Sequence, residues 1–562
     1  MKKIHRFFTA PAALAIMLSA GGVLAGHQAA LAVPARPGTI IYTQPDGTKL
    51  PITVQGDERA NAAYDMQGRR LVRNEEGYLL PATPAQLRAA AETRAAGEDT
   101  RFLMSGPAFP VHGSPKAVVI LVDFPNQKFS MENPREYYSD MLNKAAYDLD
   151  GATGSARDYF IENSSGAFTP QFDVYGPVTT KNLYGYYGSN GFDGSDKYAY
   201  QAVIEACDGV DDEVDFMDYD ANEDGYIDNV FVIYAGYGEN DSYIEKTIWP
   251  HSADISDFSL GRTYRYDYKV LNRYAMTCEL IYELDKPDGV GTFIHEFSHV
   301  MGLPDLYSTD YEPTAYSPNL YSILDMGPYL NEGRTPPYYS SFERYSLDWL
   351  TPEEFPASGE YTIEALHKSN KAYIVKTEHE DEFFLIENRH DIDWDAYLIN
   401  GGMLVWHIDY VKDVWDKNVV NNTPTHQYVD LIEADDLQDL ASSGGDPFPG
   451  SAGVTELSFT TTPALKAWSG KTTGISFSDI RRNQDGTLSL SVKYDKEPGA
   501  GVAEVADANG ISVAGRVIAN ASGDTIDVFD LAGRRVAAIT AGTSAELPAG
   551  LYIASGCKYL LK

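Results

Sequence analysis

The chain has 562 residues, enough for three or four domains, and 43% of them are hydrophobic and 12% aromatic, which excludes global disorder. Its 81 acidic against 44 basic side chains give a formal net charge of −37, and such a surface repels nucleic acid and anionic membranes. It suits oxygen-rich loops that hold hard cations, although a merely solvated acidic surface explains it as well. The three cysteines, Cys207, Cys278 and Cys557, are too few for a disulfide framework. One Cys207–Cys278 bridge and two buried thiols both fit.

In chain order, Lys2, Lys3 and Arg6 form a positive head before an apolar stretch from Phe7 to about Ala25. Ala30-Leu31-Ala32 then fits a small-residue cleavage site, with Val23-Leu24-Ala25 as a second choice, so residues 1–32 read as an export signal. Residues 33–113 read as a pro-segment and linker. Short β-type runs from Thr39 to Leu80 are separated by turns at Pro45-Asp46-Gly47, Gln67-Gly68 and Glu76-Gly77. An Ala-rich helix is expected over Thr83–Gly97, followed by chain-breaking prolines and glycines beside Arg88, Arg94 and Arg101.

Residues 114–356 carry the α/β pattern of a catalytic domain. Lys116–Phe124 and Asn229–Ala235 are β-branched runs expected as buried strands, and Ser155–Asn163 is a short helix opened by a serine cap. Val290–Met301 is expected as a helix stopped by Gly302. Residues 357–496 turn to short strands, among them EFFLIENR, GMLVWHID, YVDLIEA and LSLSVKY, and form a β-rich module associated with the catalytic part. After the Glu497–Gly501 linker, residues 502–562 read as a small C-terminal β-sandwich.

The chemistry sits on the helix before Gly302. His295 and His299 are four residues apart, so their imidazoles share one face and can hold one metal ion. Glu296 lies beside them, placed as a general base. Gly302 permits a sharp turn, and the returning chain offers Asp305 as a third ligand. Three protein ligands and an open position describe catalytic rather than structural zinc. Upstream, Asp220, Asn222, Asp224, the Tyr226 carbonyl and Asp228 fall at the spacing of a calcium loop with Gly225 at its turn. Phe231 stands where an EF-hand would need an acid, which leaves a plain acidic turn as the competing reading.

HEFSHVMGLPD is similar to the extended metzincin pattern, with Asp305 where many members carry histidine. Together with ARDYFIENSSGAF, DANEDGYIDNVFVIYAG and GGMLVWHID, it resembles the immune-inhibitor-A-like bacterial metallopeptidases. The resemblance implies a zincin-like α/β catalytic domain, an N-terminal pro-segment, zinc-dependent endoproteolysis of protein substrates and bound calcium. It also implies a methionine turn, for which Met326 in SILDMG is the candidate, with an ordinary core methionine as the alternative; Tyr329 is considered as an oxyanion donor, but the favoured reading is a structural tyrosine. No cysteine precedes Cys207, so a cysteine latch is excluded, and an acidic one through Asp57 or Glu58 is an option. TIDVFDLAGRRV and LPAGLYIASGCKYLLK resemble the sorting domains of the type IX secretion system, which implies export machinery as a partner and a secreted or surface location. Competing readings are a zinc aminopeptidase or thermolysin-like enzyme with Glu343 as third ligand, and a surface adhesin with a vestigial peptidase domain.

Overall fold

The run Lys116–Asp123 (β2) is apolar at nearly every position because both faces of its sheet are covered. A computed structural model of the chain describes residues 31–57, 61–74, 77–82, 109–191, 195–259, 261–309, 317–496 and, with short breaks, 510–561. Residues 1–30 of the expected export signal and the helix expected over Thr83–Gly97 lie outside these residues, whereas Leu31 and Ala32, the last two of that signal, lie within them. Among the described residues, no helix is long and apolar enough to cross a membrane.

The central sheet joins Leu31–Ala32 (β1), β2, Gln171–Thr179 (β3), Val230–Tyr237 (β4), His251–Asp254 (β5) and Arg273–Ile281 (β6) in the order β1-β5-β6-β4-β2-β3. The pairs β2–β3, β2–β4 and β4–β6 are parallel, whereas β5 runs antiparallel to β6 and β1 antiparallel to β5. Side chains alternate between two cores. Val118, Ile120, Val230 and Val232 face helix α2 (Ala199–Val210), and Val119, Leu121, Phe231 and Ile233 face α1 (Ala156–Asn163) and α3 (Gly291–Val300). Buried Ala199, Ala202, Val203, Ala206, Cys207 and Val210 form the helical stripe that explains how α2 packs. Cys207 and Cys278 are free buried thiols. Strand β4 runs two residues beyond the expected stop because Gly236, at φ +96°, bends within it and donates its N–H to Glu279 at 2.9 Å.

Ser155 caps α1 in a reciprocal capping box with Asp158. Helix α3 is buried along its whole length. Phe297 on α3 sits 5.0 Å from Phe109, 5.5 Å from Phe160 and 5.3 Å from Phe172, between ring centroids. The same core takes in Trp394, Trp406 and Trp415, so the β-rich module packs directly on the α/β domain. Its two sheets contain Glu382–Arg389 and Gly402–Asp409 in one and Gly359–Ile363, Ile475–Arg482 and Leu488–Tyr494 in the other.

Residues Ile40–Pro81 form a five-stranded antiparallel meander, with the first hairpin turning at Gly47. In the C-terminal module, strands of a three-stranded and a four-stranded sheet share one cluster around Ile518, Val528, Ile539 and Tyr552.

Candidate metal centre

Helix α3 brings His295 and His299 onto one face, with their Nε2 atoms 3.1 Å apart. Met301 closes the helix and Gly302, at φ +100°, reverses the chain, so Asp305 comes back beneath the histidines. Asp305 Oδ1 lies 3.4 Å from His295 Nε2 and 3.1 Å from His299 Nε2. A tetrahedral zinc with bonds of about 2.0–2.1 Å needs ligand atoms about 3.3 Å apart, so the triangle fits that ion. Among the described residues, this is the group of three or more His, Cys, Asp or Glu whose ligand atoms all lie within 4.8 Å of one another.

Each ligand is aimed by a second contact. His295 Nδ1 lies 2.7 Å from the Ile323 carbonyl and His299 Nδ1 lies 2.8 Å from the Leu303 carbonyl. Both Nδ1 positions therefore carry the proton, and Nε2 is left as the donor atom toward a metal. Burial pushes the His295 imidazole below its ordinary value, which favours the neutral form a metal requires. Burial opposes ionisation of Asp305, yet the flanking His299 and His295 hold its carboxyl well below the usual range. Asp305 Oδ1 is buried with no hydrogen-bond donor of its own, as a ligand oxygen should be.

The other carboxylate oxygen shows what the sequence reading missed. Asn418, from the β-rich module, donates Nδ2 to Asp305 Oδ2 at 2.6 Å and accepts the Asp305 N–H at 2.9 Å. Asn418→Ala is expected to lower zinc affinity by about ten- to a hundredfold while leaving the fold intact, measured by competition with a chelating dye. Unchanged affinity would mean that Asn418 does not position the ligand.

Glu296 is fully buried beside the triad, and its Oε1 accepts the Val33 N–H at 3.0 Å. That contact belongs to a second arrangement absent from the sequence reading. Leu31 and Ala32 pair with Ser252 and His251, and the chain continues through the cleft. Tyr307 donates its hydroxyl to the Ala32 carbonyl, and Trp249 Nε1 donates to the Val33 carbonyl at 2.7 Å. The Ala32–Val33 peptide bond therefore lies between Tyr307 and Glu296.

The remaining candidates separate into those near the triad and those with other work. Asp57 is buried 3.5 Å from the Tyr307 hydroxyl and lies outside the metal-ligand cluster, and Glu58 lies outside the described residues. Glu343 closes a capping box at Ser340 and accepts the Ser322 hydroxyl at 2.5 Å, so its role is to hold the turn that carries Ile323. Met326 is half-buried and, with Ala35, Pro37 and Asp325, lines a cavity of about 390 Å³. Tyr329 donates to the Pro34 carbonyl and stacks on Arg36; Tyr307, not Tyr329, is the tyrosine at the Ala32–Val33 bond.

In the loop read for calcium, Asp220 accepts the N–H groups of Asp224 and Gly225, both at 3.0 Å, and pairs with Lys269 at 2.5 Å. Asn222 accepts the Asp224 N–H at 2.9 Å, and Asp224 accepts the Tyr226 N–H at 2.8 Å. Asp228 Oδ2 accepts the Ala221 N–H at 2.9 Å, while its Oδ1 is buried without a partner. Burial pushes the Asp228 carboxyl up to about 7.

Residues 112–353 match the family model described as the Immune inhibitor A peptidase M6 catalytic domain. The chain is 26% identical over 265 residues to Immune inhibitor A of Bacillus thuringiensis subsp. alesti, covering 40% of this chain and 38% of that protein. It is 24% identical over 284 residues to Pre-pro-metalloprotease PrtV of Vibrio cholerae serotype O1, covering 42% of this chain and 31% of that protein. The matched stretch thus spans well under half the length of either curated relative. Over residues 112–353, which hold the triad and Glu296, the chain is thus similar to the catalytic domain of the immune inhibitor A metallopeptidases.

Proposed function

We propose that the chain is a secreted zinc endopeptidase made as a zymogen, with Glu296 as general base and His295, His299 and Asp305 as metal ligands. The observation that carries this reading is the Ala32–Val33 peptide bond held against Glu296 beside a triangle of zinc-spaced ligand atoms. Bound zinc supplies Lewis acidity toward a carbonyl oxygen and toward water. Glu296 takes a proton from the attacking water and delivers it to the leaving amine, the position the Val33 N–H occupies here. Tyr307 donates to the carbonyl oxygen as negative charge develops there, as it does to Ala32 in this structure. Trp249 fixes the next carbonyl and excludes water from that side.

Occupation of the cleft by residues 31–36 supports the zymogen reading, since a substrate cannot enter while they remain, and it requires the export signal to be cut at Val23-Leu24-Ala25, because a cut after Ala32 would already break the bond held at Glu296. Release of casein peptides by the zinc-loaded chain after nicking with trypsin, for which Arg88, Arg94 and Arg101 are sites, tests the activity. Export through the C-terminal module rests on its resemblance to type IX sorting domains. Normal secretion of a chain ending before Glu497 would contradict that part.

The Asp220–Asp228 loop is proposed to bind calcium for stability. The proton on Asp228 sets the sign of its pH dependence. Its folded value of about 7 exceeds the ordinary 3.8, so between these limits the folded state keeps a proton that the unfolded chain has lost. Calcium-free stability should therefore fall as pH rises through that window, whereas calcium takes the ionised carboxylate. The stability gained from calcium should grow from pH 5 to pH 8, reaching about 2.7 kcal/mol at 100 times Kd, and the accompanying rise in Tm should vanish in Asp224→Ala. Melting curves at fixed zinc decide this; an equal shift in both proteins reduces the loop to an acidic turn.

A further inference from the structure

Beyond Val33 the N-terminal segment runs three more residues along the cleft, and Arg36 turns into a pocket formed by Asp241, Asp288 and Tyr329. Arg36 Nε lies 3.2 Å from Asp241 Oδ1, and its terminal nitrogen lies 2.9 Å from Asp288 Oδ1. Its guanidinium carbon stands 4.5 Å from the centre of the Tyr329 ring. Both carboxylates are only 5% exposed.

The walls of this pocket belong to the catalytic domain; only its occupant comes from the N-terminal segment. Tyr282 N–H holds Asp241 at 2.5 Å, and Gly289 N–H and the Thr292 hydroxyl hold Asp288 at 2.9 and 3.0 Å. Thr292 is on α3, three residues before His295, so the pocket is rigidly tied to the metal centre. Asn240 joins from the same short element as Asp241, accepting the Arg36 N–H at 3.0 Å and donating to the Tyr329 hydroxyl at 3.2 Å. Two nearly buried carboxylates facing one space are costly without a cation between them.

The register follows from the strand pairing. Leu31 and Ala32 lie antiparallel on β5, the Ala32–Val33 bond lies at Glu296 and Tyr307, and Arg36 is the fourth residue after that bond. We propose that the cleft selects peptide substrates with a basic side chain, arginine above lysine, at the fourth position after the hydrolysed bond, read by Asp241, Asp288 and Tyr329. This rests on the peptidase reading and adds a substrate class to it. Arginine is favoured because its planar fork spans both carboxylates while its face stacks on Tyr329, whereas an ammonium meets one acid at a time.

The test uses the zinc-loaded Arg36→Ala chain nicked with trypsin, the activation that lets residues 31–36 leave the cleft, and the substitution keeps the resident side chain from competing for the pocket. Fluorescent peptides copying residues 31–37 (LAVPARP) carry Arg, Lys, Ala or Glu at the sixth place, and their binding is read by anisotropy. The Arg peptide should bind about tenfold more tightly than the Ala peptide, with Lys between and Glu weakest. Asp241→Asn/Asp288→Asn in the same chain should bring the Arg and Ala peptides together, and the peptide series alone decides the matter if that variant fails to fold. Cleavage of the same peptides should differ in KM and not in kcat. Equal binding of the Arg and Ala peptides, or a preference that survives the double substitution, overturns the proposal. Selective binding without any cleavage leaves the pocket standing and removes the peptidase reading; cleavage without selectivity does the reverse.

Discussion

Glu296→Ala should lose peptide hydrolysis by about a thousandfold or more while keeping zinc at one equivalent. The reasoning is local. Glu296 is not one of the three atoms that form the metal triangle, so its removal leaves the ligands and their supports at Ile323, Leu303 and Asn418 in place. What disappears is the carboxylate facing the Val33 N–H, the group proposed to move a proton between water and a leaving amine. The same substitution removes a hydrogen bond to the resident segment, so residues 31–36 should also be held less tightly. Zinc content, melting temperature and peptide turnover on one preparation separate these effects. Substantial turnover in the variant would end the assignment of Glu296 as general base.

Arg389→Met should destabilise the chain by about 3–5 kcal/mol, because it strands buried charge. Arg389 is fully buried, with Nε donating to Asp395 at 2.7 Å and a terminal nitrogen 3.3 Å from Glu387. It also donates to the Tyr338 carbonyl at 2.9 Å, while Asp395 accepts the Tyr338 N–H at 3.0 Å and Glu387 accepts the Ser341 N–H at 2.5 Å. These contacts join the β-rich module to the segment that begins the Glu343 helix, and Glu343 holds Ser322, one residue before the carbonyl that orients His295. Loss of Arg389 should therefore weaken zinc binding as well as lower Tm. Lys144→Met, which breaks an exposed pair with Asp140, should leave stability nearly unchanged and serves as the comparison. Denaturant unfolding of both variants measures the difference, and similar midpoints would show that the buried network does not join the modules.

The motif helix was readable because every signal for it is local. Its histidine spacing, its glycine stop and the ligand beyond the turn all lie between His295 and Asp305, and the structure forms that turn at Gly302. Strands β2 and β4 were readable for a similar reason: a run buried on both faces must be apolar throughout. Asn418 was not readable, since it is an ordinary asparagine 113 residues from Asp305 and only the packing of the β-rich module brings them together. Tyr307 lies inside the quoted motif, but an offset of two from Asp305 does not say where its hydroxyl points. The cleft segment was hidden by its own composition. Ala30-Leu31-Ala32 fits an export cleavage site, and small residues such as Ala32 and Ala35 are also what a narrow cleft accommodates. Pairing β1 with β5 joins positions some 220 residues apart, beyond any local pattern. At the calcium loop the ligand spacing was visible, but Lys269 on Asp220 was not, because it arrives from a later strand.

The most direct measurement of the central claim is a metal titration of peptide hydrolysis. The trypsin-nicked chain, stripped with a chelator, is returned to activity by stepwise addition of zinc while casein peptides are counted and bound zinc is quantified. Turnover should rise in proportion to zinc, level off at one equivalent, and fall by at least about tenfold at each zinc level below saturation in a His299→Ala chain. Hydrolysis that persists in the stripped protein, or a chain that binds one equivalent of zinc at His295, His299 and Asp305 and cuts no peptide, would contradict the account.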